Sequence, residues 1–112
     1  VTLETVGLIT YRLENENCEI ITIDSLREGF GIGSALIDTV KDHARQQACL
    51  RLWLVTTNDN LSSLRFYQKR GFRIVRVNIG AVERARVQKP EIPEIGDQGI
   101  YIRDEIELEI ML

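Results

Sequence analysis

The chain is short of the residues that build disulfide scaffolds, metal centres and membrane spans. Its two cysteines, Cys18 and Cys49, have neither the paired spacing of a metal site nor the density of a disulfide framework, so both read as free thiols and no metal ligand set emerges. The single histidine, His43, stands between Asp42 and Ala44 with no nucleophile beside it and reads as a solvated side chain. No apolar run approaches the ~18 residues of a membrane-spanning helix, and the opening residues lack the basic stretch and apolar core of a secretion signal. A cytoplasmic protein with no membrane partner is expected.

Positive charge is also in deficit. Lys and Arg number 14 against 17 Asp and Glu, a formal net charge of −3. A nucleic-acid surface needs clustered cations to neutralise phosphates, so no nucleic-acid partner is expected. The local group Arg65, Lys69, Arg70, Arg73 and Arg76 is interleaved with apolar residues and reads as a solvated face. With two prolines, no internal repeat and no linker, the 112 residues read as one domain, 1–112. A chain of this length buries roughly 65% of its unfolded surface, enough for a core.

Glycine is where the chain becomes informative. In Leu26-Arg27-Glu28-Gly29-Phe30-Gly31-Ile32-Gly33-Ser34-Ala35-Leu36, alternate glycines leave an apolar strand and enter an amphipathic helix. Such a turn approaches a ligand closely, and the N–H groups and dipole of the following helix favour an anion. No Gly-Lys-Ser/Thr ends the run, which weakens a P-loop reading. A dinucleotide fingerprint would need glycine at 34 or 36, where Ser34 and Leu36 stand. On these residues alone, a pyrophosphate cradle and an unliganded strand-to-helix turn both remain open.

Periodicity places the elements around that turn. Residues 6–14 and 18–24 read as strands joined by a turn at Asn15-Glu16-Asn17, and residues 33–47 as a helix with Leu36, Ile37, Val40, Ala44 and Ala48 on its apolar stripe. Residues 50–57 read as a continuously buried parallel strand with Trp53 in the core. Asn58-Asp59-Asn60 supplies turn and cap chemistry for a helix over 61–70, with Phe66 in the core and Gly71 ending it. Residues 72–79 form another strand. After the long polar section 80–101, with one or two helical turns at 82–88, residues 105–112 alternate Ile106, Leu108, Ile110 and Leu112 and should pair with 72–79.

Two blocks of this sequence resemble the GNAT superfamily of acetyl-CoA-dependent N-acetyltransferases. Glu28-x-x-Gly31-x-Gly33 stands where that family carries Gln/Arg-x-x-Gly-x-Gly/Ala, and Asn60 through Phe72 resembles its second block, with Asn60, Ser63, Tyr67 and Gly71-Phe72 in their places. The departure is Glu28, a carboxylate where the family has Gln or Arg, with the basic residue beside it at Arg27.

The resemblance implies an α/β GNAT-like acyl-CoA N-acyltransferase fold, a central mixed sheet flanked by helices, N-terminally truncated because the family's opening strand and helices have no counterpart before residue 6. The core for acetyl-CoA would be 6–72, and 72–112 a C-terminal hairpin with a long connection. Glu28, Gly29, Gly31, Ile32, Gly33 and Ser34 would hold the pyrophosphate. Ile23 and Asp24 would present backbone to the pantetheine arm near a bulge, and Asn60 would sit beside that arm or simply cap its helix. Tyr67 would serve the departing sulfur, or pack as a core tyrosine. Glu19 is the first candidate base and Asp24 the second, each also readable as an exposed strand residue. The implied reaction is direct transfer of acetyl from acetyl-CoA to a primary amine in a ternary complex. The alternative is a non-catalytic acyl-CoA-binding or interaction module that keeps the cradle and lacks the acceptor half. Section 90–101, ending in Tyr101, would cover the acceptor or form a plain surface excursion, and the exposed final strand allows a homodimer.

Overall fold

The structure is a computed structural model that describes residues 7–25 and 31–112. Its elements are β1 (Gly7–Glu14), β2 (Asn17–Ser25), α1 (Ile32–Gln46), β3 (Arg51–Thr57), α2 (Leu61–Lys69), β4 (Arg73–Asn78), α3 (Ala81–Gln88), a single 3-10 turn at Asp97–Gly99, and β5 (Glu105–Met111). Each expected element is present within one residue of its expected ends. The strands form a mixed sheet in the order β1-β2-β3-β5-β4. Among the described residues, no helix is long and apolar enough to cross a membrane, which says nothing of membrane β-barrels.

The described residues divide into two compact units, one running to Leu54 with Met111–Leu112 added, the other Val55–Ile110. In the first, Asn15 takes a positive φ of 55° and folds β1 back on β2. The antiparallel register runs through Arg12↔Glu19 and Tyr11↔Ile20, then shifts to Thr10↔Thr22, so Ile21 is the extra residue of a bulge. The bulge therefore falls earlier than the Ile23 to Asp24 stretch where it was expected. β3 joins β2 in parallel over Asn17–Glu19 and Arg51–Trp53.

Helix α1 buries Ile37, Val40 and Ala44, the expected stripe. Ala48 departs from it. It lies beyond the helix at φ 61°, its N–H donating to the Arg45 carbonyl while the Cys49 N–H donates to the Ala44 carbonyl. These two bonds make a Schellman ending, which turns Ala48 to solvent and sends Cys49 inward, 4% exposed. His43 is half-buried rather than solvated, with its ring 5.6 Å from that of Tyr11. Continuous burial of β3 is not observed either: Leu52 and Leu54 are buried, while Arg51 and Trp53 are half-exposed, so the strand is one-sided.

In the second unit, β4 and β5 form the expected antiparallel hairpin, with Leu108 fully buried opposite Ile74. The long connection between them is far from structureless. Arg86 donates from Nε to the Ile92 carbonyl and from Nη2 to the carbonyls of Pro93 and Ile102, the last two at 2.8 Å. Asn58 accepts at Oδ1 from the Arg103 and Asp104 N–H groups and donates from Nδ2 to the Tyr101 carbonyl. Asp59, 7% exposed, accepts from the Thr57 hydroxyl and the Asp97 N–H. Buried polar groups demand partners, and here those partners hold the excursion 89–104 in place.

Candidate functional site

The glycine-rich turn contributes to the first unit. Glu28 and Gly29 lie outside the described residues. Gly31 is the N-cap of α1 at φ 67°, ψ 18°, a left-handed conformation that side chains with a Cβ rarely take. Its carbonyl accepts the first helical bond, from the Ala35 N–H, and a Cβ placed on it would meet nothing within 4 Å. Among the described residues, nothing fills the space in front of it. Among the described residues no side chain caps the helix, and no acidic residue stands in its first turn. Ile32 and Gly33 therefore present backbone N–H groups that have no acceptor within the helix, at the positive end of its dipole. Ser34, the remaining cradle residue, follows in the same turn.

Ile23 and Asp24 pair with Ile9 and Leu8 of β1. Among the described residues the β2–β3 ladder ends at the Glu19–Trp53 pair, and no β3 residue is paired with Ile23 or Asp24. Backbone groups on that edge of β2 are thus not consumed by the ladder. The Asp24 side chain is exposed, and the Ile23 side chain half-buried.

Glu19 occupies the last ladder position. Its carboxylate is 2.6 Å from Arg12 Nη2, its cross-strand partner, and its side chain is 17% exposed against 64% for Arg12. Glu19 and Arg12 line a cleft of about 260 Å³, with Glu14, Arg51 and Trp53 as further walls and Asn15 and Asn17 at the hairpin end. Trp53, expected in the core, instead faces this cleft with the Arg51 guanidinium 5.0 Å from its ring centroid. The cleft was missed from the sequence because its residues are distant along the chain and only the β1–β2–β3 register assembles them.

The second block lies in the second unit. Asn60 caps α2, its Oδ1 accepting from the Ser63 N–H, which leaves the amide nitrogen as the group able to reach a ligand. Tyr67 is the buried residue of α2, 4% exposed, with its ring edge-on to those of Phe66 and Phe72. Burial pushes its phenol up from 10.0 to about 12, so the hydroxyl keeps its proton at neutral pH. Phe66 is half-buried rather than core, and the Arg70 guanidinium stacks 3.6 Å from its ring centroid. Tyr101 has the guanidinium carbons of Arg86 and Arg103 at 5.3 Å and 5.4 Å from its ring centroid.

Comparison with known proteins gives this arrangement a lineage. Residues 3–72 match the Acetyltransferase (GNAT) family. The uncharacterized protein YdhI of Bacillus subtilis is 50% identical over 103 residues, covering 92% of this chain, and the chain spans 64% of that relative's length. Among solved structures, a Bacillus subtilis acetyltransferase in complex with CoA superposes with a TM-score of 0.83 at 24% identity, over 97% of this chain and 70% of that one. A GNAT family acetyltransferase from Elizabethkingia anophelis with acetyl-CoA bound gives 0.81 at 29% identity, over the same shares. With well over half its residues matched by the family and with the same fold in these structures, the chain belongs to the GNAT acetyltransferase family.

Proposed function

We propose that this chain binds acetyl-CoA and transfers its acetyl group to a primary amine by direct attack within a ternary complex. The observation that carries the reading is the α1 N-terminus, which among the described residues has no side-chain cap and no acidic residue in its first turn, and which follows a left-handed Gly31. An anion such as a pyrophosphate is the ligand that terminus favours. The acetyl-CoA bound to the Elizabethkingia relative supports the same ligand here. Glu28, Gly29, Gly31, Ile32, Gly33 and Ser34 would surround the pyrophosphate. Ile23 and Asp24 would pair with the peptide-like pantetheine as a partial extra strand, and Asn60 would reach it through its amide nitrogen.

Chemistry assigns the remaining roles. A lysine-like amine has a pKa of about 10.4, so its neutral form costs roughly 4–5 kcal/mol at pH 7. Glu19 is the proposed acceptor of that proton, with Asp24 as the second candidate. The amine nitrogen then bonds to the thioester carbon and gives up its second proton to solvent, the C–S bond breaks and CoA leaves as thiolate. Full proton transfer to the thiolate from Tyr67 at about 12, against a thiol near 8.5, is uphill by roughly 3–4 units. Tyr67 therefore acts as a hydrogen-bond donor to the developing sulfur charge, and solvent supplies the proton.

The second reading, a non-catalytic acyl-CoA module, draws on Glu28 in a position the family gives to Gln or Arg and on Glu19 held in an ion pair with Arg12. Calorimetric titration with acetyl-CoA, followed by measurement of CoA thiol release against a panel of amines, separates the two. Binding with amine-dependent release is the expected result. Binding without release for any amine supports the module, and absence of binding overturns the cradle assignment.

A further inference from the structure

We propose that the cleft at the β1–β2 hairpin selects a zwitterionic acceptor, a small molecule bearing an ammonium and a carboxylate on a short spacer as in a free α-amino acid, by exchanging its own Arg12–Glu19 ion pair for two pairs with the ligand. The inference rests on the acyl-transfer reading above, in which Glu19 meets the acceptor amine.

Charge comes first. The cleft holds two guanidinium groups, Arg12 and Arg51, and two carboxylates, Glu14 and Glu19, and so is formally neutral while rich in both signs. A polycationic amine would be matched by an excess of carboxylate, and a nucleotide or phosphorylated acceptor by an excess of guanidinium. A zwitterion is the small ligand whose own charges mirror this lining.

The geometry of the internal pair sharpens the point. Arg12 and Glu19 are directly opposite on adjacent strands, with Nη2 and Oε1 2.6 Å apart. Glu19 is the more buried partner, at 17% side-chain exposure, so its charge needs a cation or hydrogen-bond donors whenever Arg12 leaves it. An incoming ammonium meets that need. It also releases the Arg12 guanidinium, whose planar fork matches a carboxylate. A simple amine satisfies Glu19 and leaves Arg12 to solvent, and a simple carboxylate does the reverse. A ligand with both groups satisfies both at once.

Size and shape agree. A cleft of about 260 Å³ suits an amino-acid-sized occupant better than a drug-sized one, for which pockets run to roughly 300–1,000 Å³. The indole of Trp53 forms its apolar wall, against which the remainder of the ligand would pack.

Trp53 is the single tryptophan of the chain, so its fluorescence and its indole N–H resonance report on this cleft alone. The test titrates the chain, without acetyl-CoA, with methionine, methioninamide and 3-(methylthio)propylamine, and with the corresponding phenylalanine series. The amino acids are expected to perturb the Trp53 signal at concentrations at least tenfold lower than their amides or decarboxylated amines. Arg12→Gln should bring amino acid and amine within about twofold of each other, Arg12→Lys should restore part of the difference, and Glu19→Gln should weaken the amino acid and amine together. Equal responses from all three ligand types, a preference unchanged by Arg12→Gln, or no Trp53 response would each overturn the proposal. Acetyl-CoA binding is measured separately by calorimetry, so failure of the donor falls on the transfer reading and the Trp53 series alone decides the cleft.

Discussion

At Tyr67, one atom separates the catalytic proposal from plain packing. The ring is held by edge-on contacts with Phe66 and Phe72, which a phenylalanine would keep. Tyr67→Phe is therefore expected to change stability by less than about 1 kcal/mol while lowering kcat for acetyl transfer roughly 10- to 100-fold. The KM for acetyl-CoA should move by less than about twofold, because a donor that acts on developing charge contributes mainly in the transition state. Steady-state kinetics beside urea unfolding checks both halves, and equal loss of kcat and stability would return Tyr67 to the core. Its place was legible from the second sequence block. Its burial was one of two readings left open, since Phe66 beside it is equally apolar and only packing decides which of two adjacent rings turns inward.

Among the elements, two backbone details make opposite predictions. Ala48 occupies the left-handed position of the α1 Schellman ending, at φ 61°. Glycine takes that conformation without the Cβ penalty, so Ala48→Gly should raise stability by about 1 kcal/mol in urea unfolding. Gly96 is the reverse case. A Cβ there would overlap the Asp59 carboxylate and crowd Ile102, so Gly96→Ala should destabilise by about 1–3 kcal/mol. Hydrogen exchange should quicken around 95–104 more than in β4. The excursion 89–104 escaped sequence reading for a definite reason. It has no periodic apolar pattern, and its order rests on side chain to backbone bonds from Asn58, Asp59 and Arg86, residues that by composition signal only turns and solvent.

The molecule as a whole carries buried acids that resist ionisation. Burial raises Cys18 from 9.0 to about 11, the neighbouring Cys49 adding to the effect, and raises Tyr67 from 10.0 to about 12. Above pH 9 the unfolded chain releases protons that the native state retains. Stability is then fully present below about pH 9 and falls as pH rises toward 12. Tm measured against pH should show this alkaline decline, and Cys18→Ala with Tyr67→Phe should flatten it. Both thiols are buried, so a disulfide-exchange reagent should react with them slowly until the chain is unfolded.

Family membership, the order of strands and helices, and the glycine turn were legible because they reside in local pattern. Alternation marks a strand, a 3.6-residue stripe marks a helix, and alternate glycines before a helix mark a strand-to-helix turn, each set by neighbours a few residues apart. Tertiary structure alone decided the bulge at Ile21, the exposure of Trp53, the Arg12–Glu19 pair and the cleft they share. Those depend on register between strands and on which of two apolar faces is covered. A strand's alternation states that it has two faces, and long-range pairing states what each one meets.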